Sequence, residues 1–163
     1  KKFEKIIPVL KNLNAFKVAI ITDVNSEEAL AAEQLVKGGI IDFIQLHGIK
    51  YEACPEALLE LPHYFALTDK EKISKTEAEK LSSIGEIRFL QDCRTHEYTS
   101  SGSLWLAGGV TTENVAELVE RFKPELVDVS SGLEDSDSAK IGIKNEEKML
   151  KFFAELYKCE NSH

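Results

Sequence analysis

Two short runs in the second half of the chain have residue types that could hold an anion. Leu106-Ala107-Gly108-Gly109-Val110-Thr111-Thr112-Glu113-Asn114 comes first, and Val127-Asp128-Val129-Ser130-Ser131-Gly132-Leu133-Glu134 follows. Each is an apolar run that stops in small residues. Small residues let backbone N–H groups approach a ligand closely, and a helix start just beyond them favours negative charge. Either run alone reads more readily as an ordinary strand-to-helix turn. In tandem they match the phosphate site built by the last two strand–helix loops of a (β/α)8 barrel. Gly108, Gly109, Ser130, Ser131 and Gly132 are therefore the candidate phosphate ligands.

Other candidates are single side chains. Asp92 closes the run Phe89-Leu90-Gln91. A carboxylate at a barrel strand end can do acid–base work, and Asp also opens loops for purely local reasons. His47 ends Ile44-Gln45-Leu46, where it either faces the mouth of a barrel or orients its neighbours. Cys54, Cys93 and Cys159 are odd in number and lack metal-site spacing, so they read as reduced thiols. His47, His63, His96 and His163 form no ligand pattern, and His96-Glu97 lacks the second His of a zinc-protease helix. Neither a metal nor a cofactor is expected.

The elements that must position these residues alternate along the chain. Phe3, Ile6, Ile7 and Leu10 have helical spacing. Buried parallel strands are expected over Lys17–Thr22, Ile40–Leu46, His63–Leu67, Ile87–Gln91, Leu104–Ala107 and Leu126–Val129. Asn25 with Glu28 caps the helix after the first strand, and Gly38-Gly39 ends it. Pro55 opens a short helix, and Ser74 with Glu77 opens another, running to about Ser83. Arg94 to Ser103 shows no helical pattern. Val115, Leu118, Val119 and Phe122 mark the next helix, and Met149, Phe152, Phe153 and Leu156 the face of the last. A helix followed by six βα units implies an α/β protein with a mostly parallel sheet. Six strands do not close an eight-stranded barrel. Counted back from the two phosphate-like loops, the first strand, first helix and second strand are expected to be missing.

The 163 residues fit one domain, taken as 1–163. A net charge of −8 argues against a nucleic-acid-binding surface without excluding a local positive pocket. No stretch reads as a membrane span, and Lys1 to Leu10 is amphipathic rather than a signal peptide. A cytoplasmic protein is expected.

Four motifs occur in order: Ile44-Gln45-Leu46-His47-Gly48, Leu106-Ala107-Gly108-Gly109, Asp128-Val129-Ser130-Ser131-Gly132-Leu133-Glu134 and Gly142-Ile143-Lys144-Asn145. With them the chain resembles the phosphoribosylanthranilate isomerase family of tryptophan biosynthesis, from Lys1 onward. The family usually has Asp where Asn145 stands. The resemblance implies a (β/α)8 TIM barrel, here incomplete with about six parallel strands. It also implies an Amadori rearrangement of N-(5-phosphoribosyl)anthranilate to a 1-deoxyribulose phosphate. That reaction needs an acid at the ring oxygen and a base at the C2′ proton. The family's acid maps onto Asp92. Its base is a Cys in a Lys-Ile-Cys-Gly-like segment that has no counterpart here, and its substrate-orienting Arg has none either. Cys93 follows Asp92 and so faces the opposite side, among the helices. The family's Gly-rich loop and helix after Asp92 are replaced by Thr99-Ser100-Ser101-Gly102 running almost directly into the next strand. Asp128 either contacts the ribosyl part of the substrate or bonds backbone near the rim.

The resemblance thus implies an isomerase acting on a small phosphosugar as a monomer or homodimer, with no nucleic-acid or membrane partner. Two alternatives compete with it. A catalytically inactive phosphosugar-binding relative would keep the small-residue loops without the general-base Cys. A different phosphosugar enzyme such as an epimerase would need metal-ligand His and Asp pairs at strand ends, and the sequence has none.

Overall fold

A computed structural model describes residues 6–68, 89–98, 105–135 and 142–160. The segment expected to form a helix from Ser74, the start of the strand expected at Ile87, and residues 99–104 lie outside them. Two compact units divide the chain, Lys1–Phe89 and Leu90–His163.

In the first unit, helix α1 (Ile7–Asn12) precedes strand β1 (Val18–Ile21), helix α2 (Glu27–Lys37), strand β2 (Phe43–His47), helix α3 (Glu56–Leu59) and strand β3 (His63–Thr68). β1 pairs parallel with β2, and β2 with β3. The register places Ile21 beside Leu46 and Leu46 beside Phe65. Ile44, Leu46 and Phe65 are fully buried, and Ala29 and Ala32 of α2 pack on them with Ile21 and Leu58. Small residues on that helix face let it sit close to the strands.

In this unit the structure corrects three local expectations. Ser26, not Asn25, caps α2: its Oγ accepts from the Ala29 N–H at 3.1 Å. The Asn25 N–H is taken by the Asp23 carboxylate at 2.9 Å. β1 is not a buried strand, since Val18 and Ile20 are exposed and only Ile21 is buried. Residues 40–42 precede β2 as irregular chain, where the Asp42 carboxylate accepts the Lys17 N–H at 2.7 Å.

In the second unit, β4 (Phe89–Asp92, whose first residue closes the first unit), β5 (Trp105–Ala107) and β6 (Leu126–Val127) pair parallel in that order. Helix α4 (Val115–Phe122) lies between β5 and β6, and α5 (Glu146–Glu160) ends the unit. Leu106, Val110, Val115, Leu118, Leu133 and Phe152 form the core with Tyr98. α5 turns Phe152 and Cys159 inward, whereas Met149, Leu150, Phe153 and Tyr157 are exposed. Phe152 and Phe153 are adjacent on a helix, so only one can face the core. Asn145 caps α5 by accepting the Lys148 N–H at 2.9 Å, a role Asn fills as well as Asp.

Candidate functional site

The loops after β4, β5 and β6 meet around the second unit's candidate residues. Asp92 is the last residue of β4 and pairs in register with Ala107. Gly108 follows Ala107 with φ +88°, a conformation glycine adopts without steric cost. A Cβ on Gly108 would stand 2.7 Å from Asp92 Oδ1 and 2.6 Å from the Cys93 nitrogen. The carboxylate of Asp92 can lie against this turn only because the turn has no side chain.

Gly109 also has positive φ, +63°. Its α-carbon faces His96, whose Nε2 lies 3.0 Å from where a Cβ would be. His96 is itself left-handed at φ 56° and stacks on Tyr98 at 6.1 Å between ring centroids. Its Nε2 is buried without a hydrogen-bond partner among the described residues. Tyr98 donates its hydroxyl to the Ala107 carbonyl at 2.8 Å. Asn114 fastens the turn from the other side: its Oδ1 accepts the Thr111 N–H at 2.8 Å, and its Nδ2 donates to the Gly109 carbonyl at 2.9 Å.

The loop after β6 closes on this turn. A Cβ on Gly132 would collide with the Val110 carbonyl oxygen, so only glycine permits the backbones of Gly132 and Val110 to touch. Ser131–Leu133 forms a single 3-10 turn. Lys144 reaches back to Ser130, its Nζ standing 2.9 Å from the carbonyl oxygen and 3.1 Å from Oγ. The same ammonium pairs with Glu134 at 2.7 Å. Its hydrogen bond, followed by that of the Gly142 N–H, holds the Glu134 carboxyl below the usual range. The Asp128 N–H donates to the Leu106 carbonyl at 2.8 Å, continuing the β5–β6 ladder.

Gly108, Gly109, Ser130, Ser131 and Gly132 are therefore brought together, with the Asp92 carboxylate beside Gly108. The backbone of Cys93 lies against Gly108, but its side chain packs against the apolar core, with Sγ 3.3 Å from Thr95 Oγ1.

His47 belongs to the first unit, at the end of β2. Tyr64 donates to Gln45 Oε1 at 2.9 Å, and Gln45 Nε2 stands 3.2 Å from His47 Nδ1. An amide nitrogen only donates. Nδ1 of His47 is then the acceptor, which leaves the proton of the neutral ring on Nε2.

Sequence reasoning missed His96, Asn114 and Lys144 as parts of this arrangement. Asn114 carried a readable signal, an Asx residue three positions after Thr111 at a helix start. The contacts of His96 and Lys144 depend on segments distant in sequence.

The chain is similar to known proteins. The family described as N-(5'phosphoribosyl)anthranilate (PRA) isomerase matches residues 4–155. An N-(5'-phosphoribosyl)anthranilate isomerase of Listeria monocytogenes serotype 4a (strain HCC23) is 28% identical over 170 residues, covering 91% of this chain and 77% of the relative. A solved structure of monomers generated from the dimeric phosphoribosylanthranilate isomerase of Thermotoga maritima superposes with TM-score 0.68 at 21% identity, covering 94% of this chain and 78% of that one. Another phosphoribosylanthranilate isomerase, solved with reduced 1-(o-carboxyphenylamino)-1-deoxyribulose 5-phosphate, superposes with TM-score 0.66 at 21% identity, covering 95% and 79%. The α/β fold, with six parallel strands, is that of these (β/α)8 barrels.

Proposed function

The chain belongs to the N-(5'-phosphoribosyl)anthranilate isomerase family, and we propose how its residues carry out the isomerisation of phosphoribosylanthranilate in tryptophan biosynthesis. Asp92 is the general acid. Gly108, Gly109, Ser130, Ser131 and Gly132 hold the substrate phosphate, mainly through backbone N–H groups. Asp128 faces the ribosyl part, and His47 offers the Nε2–H donor at the end of β2. We take the chain to work as one domain, a reading supported by a family match that crosses the boundary between the two compact units.

The chemistry follows from the substrate. Opening the furanose ring breaks the bond between C1′ and the ring oxygen. The departing oxygen takes a proton from Asp92, and the anilino nitrogen supplies electrons to C1′. Transfer of the C2′ proton to a base, a role that none of the residues named here fills, then gives the enol-amine, which tautomerises to the aminoketone. Protonation by a positioned acid is typically worth 10²–10⁴-fold. A phosphate held by N–H groups fixes the sugar so that its ring oxygen meets the carboxyl repeatedly.

The single observation behind this reading is the placing of the Asp92 carboxylate against Gly108, 2.7 Å from the site of a Cβ. It puts an acid within one residue of the phosphate turn. The substrate class comes from the relatives named above, which are phosphoribosylanthranilate isomerases, one solved in complex with a deoxyribulose phosphate. One relative is described as dimeric, and we assign this chain to the monomer or homodimer class. Among the described residues no helix is long and apolar enough to cross a membrane. We place the enzyme in the cytoplasm.

The test is Asp92→Asn, which keeps the shape of the side chain and removes the acid. Turnover, followed by the fall in substrate fluorescence, should drop about 10²–10⁴-fold with the melting temperature nearly unchanged. Undiminished turnover would remove Asp92 from the mechanism.

A further inference from the structure

We infer that Lys144 is a positioning residue for phosphate binding and acts through the hydroxyl of Ser130. The inference rests on the reading above that Ser130 belongs to the phosphate seat.

Lys144 Nζ meets three oxygens: the Ser130 carbonyl at 2.9 Å, Ser130 Oγ at 3.1 Å and Glu134 Oε1 at 2.7 Å. An ammonium has three hydrogens and no lone pair, so nitrogen is the donor in all three contacts. Ser130 Oγ is therefore an acceptor toward Lys144. Its single hydrogen is turned away from the ammonium and left to donate elsewhere. An ionised phosphate presents acceptors, so a hydroxyl set as a donor is the form it binds. Without the ammonium the same hydroxyl is a rotor that presents lone pair and hydrogen alike.

The carbonyl contact adds a second constraint. Across a planar trans peptide the N–H of Ser131 points opposite to the C=O of Ser130. Holding that carbonyl on the Lys144 side directs the Ser131 N–H away from the lysine. One ammonium thereby orients two donors of the seat. Glu134 fixes the ammonium in turn, and the drop in its carboxyl below the usual range reflects the same pairing.

The backbone around Lys144 is anchored independently of the ammonium. Glu134 and Lys144 form an antiparallel bridge, the Asn145 N–H donates to the Leu133 carbonyl at 2.7 Å, and Asn145 caps α5. Lys144→Met therefore removes the donor and keeps both the stem and the fold. Because the phosphate lies away from the bonds that change, its loss falls on KM and not on kcat.

The experiment is calorimetric titration of the full chain with inorganic phosphate, using the unmodified protein, Lys144→Met, Ser130→Ala and the double variant, with KM and kcat measured alongside. Each single variant should weaken phosphate binding about tenfold, the value of a hydrogen bond to a charged group. The double variant should bind more weakly than Ser130→Ala alone but by less than the product of the two single losses, because the route through the hydroxyl is already gone and only the carbonyl contact is left to lose. KM should rise and kcat stay constant. Unchanged affinity in Lys144→Met, with Ser130→Ala weakened, would overturn the inference and leave the seat standing. So would losses that multiply in the double variant, which would mean direct charge attraction. Unchanged affinity in Ser130→Ala would remove the seat itself and the inference with it. Lys144→Leu, which also carries no donor, serves by the same criteria if Lys144→Met does not fold.

Discussion

The first compact unit and the second are built from the same βα pieces but place their polar contacts differently. In the first, side-chain hydrogen bonds are mostly local or frame the strands: the Ser26 cap, the Lys17–Asp42 pair at the foot of β1, and Lys37 on Glu33 one turn back. Its coherence comes from Phe65, Ile44 and Leu46 under Ala29 and Ala32. In the second, side chains lace loop to loop: Asn114 to Gly109, Tyr98 to Ala107, Lys144 to Ser130, and Lys148 to the Glu134 carbonyl at 2.6 Å. Strands of two to four residues leave much of the positioning to these contacts. A binding loop held by a connected polar network is preorganised, and that lowers the ordering cost when a ligand arrives. The first unit supplies framework and His47, whereas the second carries the small-residue loops and Asp92.

Paired substitutions should separate these roles. Phe65→Ala removes a fully buried ring from the first unit and should cost about 3–5 kcal/mol in chemical denaturation. Inorganic phosphate affinity, measured where the variant is folded, should be unchanged. Gly132→Ala should cost less, about 1–3 kcal/mol, because one methyl forces two backbones apart. That displacement should nonetheless abolish most phosphate binding. If Phe65→Ala weakened phosphate binding as much as Gly132→Ala, the division of labour would be wrong.

The smallest effect concerns Glu113, which pairs with Lys151 of α5 at 3.1 Å. The Thr112 hydroxyl first, then Lys151 and the Thr111 hydroxyl, lower its carboxyl from 4.5 to about 2. A carboxyl lowered in the folded state contributes stability above its ordinary value and loses it as pH falls toward the folded one. Between pH 4.5 and about 2 the melting temperature of Glu113→Gln should therefore fall less steeply than that of the unmodified protein. Phosphate affinity at neutral pH should not change, since the pair lies on the surface of the helix layer. Equal slopes would mean that the pairing does not survive in solution.

Much of the frame is legible in the sequence because β-branched runs and helical spacing are local signals. Each strand overlaps the run that announces it, β2, β3 and β4 ending one residue beyond it, and Phe152 and Leu156 lie on the inward face of α5. Misreadings occur where two neighbours compete. Asn25 and Ser26 are both good caps, and the choice turned on Asp23 taking the Asn25 N–H. Phe152 and Phe153 are equally apolar, and only packing selects one. Val18 and Ile20 look buried because they are β-branched, yet burial depends on what lies over a face. At the site, the small-residue loops announced themselves by composition. The Lys144–Ser130 contact did not, because it joins residues fourteen apart through a bridge between Glu134 and Lys144.

A crystal structure of the chain with the phosphosugar product bound would test the central claim most directly. The account predicts the phosphate between Gly108-Gly109 and Ser130-Ser131-Gly132, within hydrogen-bond distance of their N–H groups and of Ser130 Oγ, with the Asp92 carboxyl turned toward the sugar oxygen released by ring opening. A phosphate seated elsewhere, or an Asp92 carboxyl turned away from the sugar, would contradict it.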